Sequence, residues 1–198
     1  LIDLETAKPV SGVSSSLMDL QVPHVISGKV RDRWDIGNDL LCFYHSDRLS
    51  SFDRHICNID GKGRILNLMN AWWMNRTRHI IDNHLLHISG GYLISKKCNL
   101  IPLEIIVRGY ITGNTSTSLW THYNKHFNVD GRTDGFEYCG LEFPSGLVKN
   151  QKLPTPVITP TTKGERDELI SYNQILQEGT VTQEQLDFMY EKAMELFT

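Results

Sequence analysis

The spacing of polar and apolar positions changes several times along this chain, and each change marks an element. Around 23–45, two apolar segments flank Gly28, and a second turn signal stands at Gly37-Asn38. That pattern reads as strand, loop, strand, with 40–44 as the next strand. Over 64–81 the period becomes helical. Ile65, Leu68, Met69, Trp72, Trp73 and Ile80 share one face, which predicts an amphipathic helix with both tryptophans in the core. Strand character returns over 92–107, broken at 96–99. A short helix is expected over 115–126, opening in a Thr/Ser cluster. Residues 127–160, rich in Gly and Pro, read as hairpins and loops. Thr182 is placed to cap a final helix, with Gln185 completing a capping box. Leu186, Met189, Tyr190, Ala193, Leu196 and Phe197 form its apolar stripe, and Asp187, Glu191 and Glu195 its wet face. Residues 1–22 mix Ser, Gly, Pro and isolated apolar residues, as an irregular arm would.

Composition narrows the class. The 198 residues suffice for one moderately large domain or two small lobes. A hydrophobic content of 40% with 22% charged residues suits a globular protein, and a net charge of −3 gives no whole-molecule field for nucleic acid. Anion binding therefore falls to local basic groups. Cys42, Cys57, Cys98 and Cys139 are scattered without a Cys-x-x-Cys pair, which argues against zinc or dithiol chemistry. His84/His87 and His122/His126 have no third ligand pattern beside them and read as satisfied or solvated side chains. No apolar run approaches a membrane span, no signal-peptide pattern opens the chain, and a cytoplasmic location is expected. The chain starts at Leu1 rather than Met, as a processed or trimmed product would. Self-association is left open.

The chemistry concentrates in a few segments. Residues 102–113 read Pro-Leu-Glu-Ile-Ile-Val-Arg-Gly-Tyr-Ile-Thr-Gly. A strand-forming run at 105–107 meets Arg108, whose guanidinium suits bidentate phosphate or carboxylate binding. Gly109 and Gly113 permit a tight turn or a close backbone approach to a ligand. Upstream stand Ser27-Gly28-Lys29-Val30-Arg31-Asp32 and Ser46-Asp47-Arg48-Leu49-Ser50-Ser51-Phe52-Asp53. Downstream stand Lys152-Leu153-Pro154-Thr155-Pro156, then Thr159-Pro160-Thr161-Thr162-Lys163, then Asp167-Glu168-Leu169-Ile170-Ser171. Taken singly each has a plain reading: a basic surface turn at Gly28, a capped turn with an Asp–Arg pair at 46–53, a solvated loop lysine at Lys163.

In this order, over roughly 24–198, these motifs closely resemble those of the SAICAR synthetases, the phosphoribosylaminoimidazole-succinocarboxamide synthases of purine biosynthesis. The resemblance implies an ATP-dependent ligase joining L-aspartate to carboxyaminoimidazole ribonucleotide (CAIR) through an acyl phosphate. ATP and Mg2+ are then the expected cofactors. It also implies an α+β fold, with a small antiparallel-sheet lobe over 23–100 and a second α+β lobe over 101–198, the boundary falling near 99–103. Gly28, Lys29, Val30 and Arg31 would cover the ATP phosphates. Leu100, Ile101, Leu103 and Glu104 would line the adenine on the crossover. Arg48 and Ser50 would contact the ribotide, with Asp47 or Asp53 orienting basic neighbours. Arg108 would hold the ribose 5′-phosphate, with Gly113 and Asn114 beside it. Lys163 and Asp167 are the catalytic candidates, and Glu168 shares the acidic position after the lysine.

Two departures from the family pattern stand out. Asn114 occupies a position where the family commonly has serine, and Thr115 or Ser116 could compensate. The family's later segment, with its Lys-x-Glu-Phe-Gly-like strand and following acidic loop that hold Mg2+, has no match here. No metal ligand is therefore expected within these residues, and the 198 residues alone are expected not to turn over. An inactive or nucleotide-binding remnant is the alternative. A kinase-like phosphotransferase is a further one, disfavoured because neither a His-Arg-Asp nor an Asp-Phe-Gly motif is present.

Overall fold

A computed structural model describes residues 25–51, 54–164 and 166–198. The expected 1–22 arm and Asp53 lie outside that set. The described chain forms two compact units. One comprises 25–78 and Asn83–Cys98, the other His79–Asp82 and 99–198.

The first unit is an antiparallel sheet backed by a helix. Strands β1 (Val25–Ser27), β2 (Arg31–Gly37) and β3 (Leu40–His45) are followed by a hairpin, β4 (Arg48–Ser51) and β5 (Arg54–Asn58). Helix α1 (Lys62–Arg76) comes next, then β6 (Leu85–Ser89) and β7 (Tyr92–Lys96). The sheet order is β1-β2-β3-β7-β6. Along β2, exposed Arg31, Arg33 and Asp35 alternate with half-buried Asp32, Trp34 and Ile36, the two-residue period of a one-sided strand. The turn expected at Gly37-Asn38 is present. Gly37, Asn38 and Asp39 all take positive φ, which Asn and Asp tolerate best among residues with side chains. Ala71, Leu85 and Leu93 form the core, flanked by Phe43, Met74 and Ile88.

Helix α1 turns a different face inward from the one its apolar residues predict. Gly63, Asn67 and Ala71, four residues apart, are its buried positions. A Cβ on Gly63 would stand 1.9 Å from the His45 carbonyl oxygen, so the helix is pressed onto the backbone at the end of β3. Bulky residues cannot occupy that contact. Asn67 fits it by donating to the carbonyls of Gly90 (3.0 Å) and Tyr92 (2.8 Å). Ile65 and Met69 are consequently exposed, and Trp72 and Trp73 retain 40% and 56% exposure. The two indoles pack edge-on against each other, with Arg76 over Trp72. The expectation that they are core is therefore corrected.

The second unit holds β8 (Leu103–Glu104) and β9 (Val107–Ile111), then helix α2 (Leu119–Asn124) running into a π-helical turn at Lys125–Val129. Hairpin β10 (Phe136–Tyr138) and β11 (Leu141–Phe143) follows, then β12 (Gln151–Ile158) and β13 (Thr161–Thr162). Helices α3 (Tyr172–Glu178) and α4 (Gln183–Phe197) complete it. β12 pairs with β9 and β13 with β8, both antiparallel. The loop-rich reading of 127–160 misses β12, an eight-residue strand containing Pro154 and Pro156. A register shift between Lys152 and Val157 removes those prolines from the ladder, where their missing N–H would otherwise be felt. Ile111, Leu119, Tyr123, Phe136, Tyr138, Phe143 and Leu153 form one core. Ile170, Ile175, Val181 and Leu186 form another. The capping box at Thr182 and Gln185 is present, and Leu186 is fully buried, but Leu196 and Phe197 at the end of the stripe are exposed.

Candidate functional site

The Gly28–Arg31 loop joins β1 to β2, and its carbonyl oxygens are held from the segment after β3. Arg48 donates through Nε to the Lys29 carbonyl (3.3 Å) and through Nη2 to the Gly28 carbonyl (3.1 Å). It also grips Asp32 with both arms, Nη1 to Oδ2 at 3.2 Å and Nη2 to Oδ1 at 2.8 Å. Ser46 adds its backbone N–H (3.1 Å) and hydroxyl (2.8 Å), both to the Val30 carbonyl. The Gly28 N–H donates to the Arg31 carbonyl at 2.7 Å, closing the turn. Gly28, Lys29 and Arg31 are exposed and Val30 is half-buried. The Arg48 guanidinium holds the Asp32 carboxyl below the usual carboxylate range. Burial, with Arg31 nearby, holds the His45 and His84 imidazoles below theirs, and Lys62 adds to the effect on His45.

Arg48 is therefore engaged within its own unit, with Asp32 rather than with Asp47. Asp47 has another task. Its Oδ1 accepts from the Gly63 N–H at 2.8 Å and its Oδ2 from the Gly61 N–H at 3.3 Å, capping α1 from a neighbouring segment. Gly61 itself, at φ 78, offers no side-chain cap. Ser50 sits in β4 opposite His55, beside a register shift.

Arg108 is differently surrounded. It lies inside β9, paired with Val157, rather than after the end of a strand, because Val107–Ile111 finds its ladder partner in β12. Ile105 and Ile106 precede the strand. Its Nε donates to Thr159 Oγ1 at 2.7 Å and its Nη2 to the Thr117 carbonyl at 3.1 Å. Both partners are neutral, and among the described residues no carboxylate pairs with it. Tyr138 donates its hydroxyl to the same Thr117 carbonyl at 2.5 Å, and burial pushes that phenol up to about 12. Gly109 is small for a packing reason, since a Cβ there would meet the Phe197 ring at 2.9 Å. Gly113, at φ +103, abuts Ser118, whose hydroxyl also bonds the Thr115 N–H (2.9 Å) and hydroxyl (2.7 Å). Thr115 is thus engaged locally. Asn114 accepts from Lys149 Nζ at 2.8 Å.

The third cluster gathers three of the expected residues. Lys163 Nζ lies 2.5 Å from Glu104 Oε1 and 3.6 Å from Asp167 Oδ1. The antiparallel pairing of Thr161 with Glu104, and the Lys163 N–H donated to the Pro102 carbonyl (2.8 Å), bring these groups together. Glu104, with Asp167 adding to it, raises the Lys163 ammonium above its usual range. Thr161 Oγ1 is buried beside them without a protein partner. Of the crossover residues expected at the adenine, Ile101 and Leu103 pack against the Ile170–Leu186 core, whereas Leu100 is 82% exposed. Sequence reasoning missed Asp32, Ser46, Thr117, Thr159 and Tyr138. Asp32, Ser46 and Thr159 stand inside the motifs already singled out, so their place beside the arginines of those motifs was the available signal.

The family model described as SAICAR synthetase matches residues 24–198. The chain belongs to the SAICAR synthetase family. A phosphoribosylaminoimidazole-succinocarboxamide synthase of Legionella pneumophila (strain Paris) is 47% identical over 172 residues, covering 86% of this chain and 52% of its own length. The chloroplastic synthase of Arabidopsis thaliana is 47% identical over 174 residues, covering 87% of this chain and 40% of its own length. This chain thus spans about half the length of the curated SAICAR synthetases it matches. The solved SAICAR synthase of Saccharomyces cerevisiae complexed with SAICAR aligns with TM-score 0.72 and 30% identity, over 89% of this chain and 62% of that one. A type-2 SAICAR synthetase in complex with ADP, at TM-score 0.64 and 21% identity over 87% of this chain and 65% of that one, shares the fold. Among the described residues, no three His, Cys, Asp or Glu side chains gather as they would around a metal ion held by protein ligands alone. No helix among them is long and apolar enough to cross a membrane.

Proposed function

We propose that this chain carries the nucleotide-phosphate and ribotide-phosphate elements of an ATP-dependent ligase that joins L-aspartate to CAIR. The observation that carries this reading is the family match over 24–198, which takes in every basic group described above. The yeast relative is complexed with SAICAR, and a protein of the same fold with ADP.

The chemical difficulty is a carboxylate conjugated to an imidazole, a poor electrophile. Phosphoryl transfer from ATP would convert it to an acyl phosphate. The aspartate amine would then attack the carbonyl carbon, the C–O bond to phosphate would break, and phosphate would leave. Most of the protein's contribution is positioning and charge neutralisation. In this reading the Gly28–Arg31 loop lies over the nucleotide phosphates. Arg108, with neutral partners, holds the ribotide 5′-phosphate. Lys163 stabilises phosphate charge as it develops, and Glu104 and Asp167 set its position. Cytoplasmic residence belongs to the same reading, although the Arabidopsis relative is chloroplastic by name.

The test is ADP release by the full-length enzyme in the presence of ribotide, aspartate and ATP. Release that requires all three supports the reading, and release independent of the ribotide contradicts it. Lys29→Ala should weaken binding of an ATP analogue by about 1–3 kcal/mol in calorimetry, the range for a lost charge-assisted contact.

A further inference from the structure

We propose that Arg48 is a positioning residue for the Gly28–Arg31 loop, acting with Asp32 and Ser46 as a latch that aims the loop's amides at a bound phosphate. The proposal deepens the nucleotide reading of this loop and rests on it.

The geometry gives the latch a direction. Three successive carbonyls are bound, those of Gly28 and Lys29 by Arg48 and that of Val30 by Ser46. In a planar trans peptide the N–H points opposite to its own C=O. Fixing these oxygens on Arg48 and Ser46 therefore turns the N–H groups of the same peptides, carried by Lys29, Val30 and Arg31, away from those two residues. Backbone N–H groups turned away from the protein's own donors can face an anion. Asp32 keeps the fork in place. It is the residue that closes β1 to β2, opposite Ser27, and it takes both arms of the guanidinium. The pair is sheltered, with the Asp32 side chain 14% exposed and that of Arg48 31%, so solvent screens it only in part. With four N–H···O contacts made from a guanidinium that has five N–H donors, Arg48 has little left for a substrate. Lysine cannot replace it, because an ammonium lacks the fork that reaches a carboxylate and two carbonyls together.

The experiment compares Arg48→Lys, Asp32→Asn and Lys29→Ala in the full-length enzyme, reading KM for ATP, KM for the ribotide, and amide hydrogen exchange across 28–31. Arg48→Lys should raise the ATP KM about tenfold and Asp32→Asn, which leaves the carbonyl contacts possible, about threefold. The ribotide KM should stay unchanged, and exchange at Gly28 and Ser46 should quicken in both. A ribotide KM that rises while the ATP KM holds would make Arg48 a substrate contact and overturn the proposal. So would faster exchange with an unaltered ATP KM, since loop order would then be irrelevant to binding. If Lys29→Ala leaves ATP binding intact as well, the nucleotide reading of the loop fails and the latch role falls with it. If Lys29→Ala weakens binding and the other two variants do not, the latch alone fails. Asp32→Asn decides the matter should Arg48→Lys not fold.

Discussion

Arg48 and Arg108 carry the same side chain in motifs that look equally suited to substrate, yet their surroundings differ. Arg48 faces a carboxylate that takes two of its contacts, and two loop carbonyls take the others. Its charge is neutralised inside the first unit. Arg108 has a threonine hydroxyl and a peptide carbonyl as partners, both neutral, so its orientation is fixed and its charge is kept. A fixed, uncompensated guanidinium is what a phosphate site requires, because the electrostatic gain is not already taken by a protein anion. A guanidinium already paired with a carboxylate has less to offer an anion.

The widest gap between the two regions should open on Gly63→Ala. The added methyl would collide with the His45 backbone, and displacing backbone at such a contact should cost about 3 kcal/mol. Hydrogen-exchange protection at Leu93 should collapse while that at Ile111, in the Arg108 region, persists. Equal loss at both would show that the two regions do not respond separately. Asp47→Ala leaves the N–H groups of Gly61 and Gly63 without their carboxylate, a loss of about 1–2 kcal/mol visible as a lower Tm. An unchanged Tm would mean that water replaces the cap.

Acidity and alkalinity should separate the regions next. His45, His84 and Asp32 have folded pKa values below their unfolded ones. The stability they contribute is therefore present above the unfolded pKa and lost as pH falls through the folded one. The histidine part weakens below about pH 6.5 and the Asp32 part only below about 3.9. Around Arg108 the sign is opposite. Burial raises Tyr138 to about 12 and its neighbour Cys139 to about 11, so their contribution is whole at neutral pH and lost as pH rises through those values. NMR shifts of the Val30 and Tyr138 amides across pH should move on the acid and alkaline sides respectively. A Tyr138 amide that moves first on the acid side contradicts the assignment. The smallest effect should come from Asn114→Ser, which removes one exposed contact to Lys149 and should change stability by less than about 0.5 kcal/mol in a denaturant titration.

Much of this was legible in the sequence. The Thr182–Gln185 cap, the strands around Gly28 and the turn at Gly37 follow from local chemistry, which acts over a few residues. The grouping of Lys163 with Asp167 was expected from the family resemblance alone. The inward face of α1 was not legible. Its apolar pattern points to Trp72 and Trp73, but what the sheet accepts is a residue without a Cβ, and that demand comes from His45, distant in sequence. The pairing of Arg48 was hidden for the same reason. Its motif contains Asp47, the obvious partner, whereas the actual partner is Asp32, brought close only by the pairing of β2 with β3. The strand holding Arg108 was read as ending there because Gly109 reads as a turn, whereas pairing with β12 carries it on to Ile111.

The most direct test of the distinction between the two arginines is a paired kinetic measurement on Arg48→Lys and Arg108→Lys in the full-length enzyme. Each keeps the charge and loses the fork. Arg108→Lys is expected to raise the ribotide KM by about tenfold, equivalent to about 1.4 kcal/mol, and to leave the ATP KM within about twofold. Arg48→Lys is expected to do the reverse. If both substitutions raise the ribotide KM and neither moves that for ATP, the two arginines serve one site, and the division between clamp and phosphate ligand is wrong.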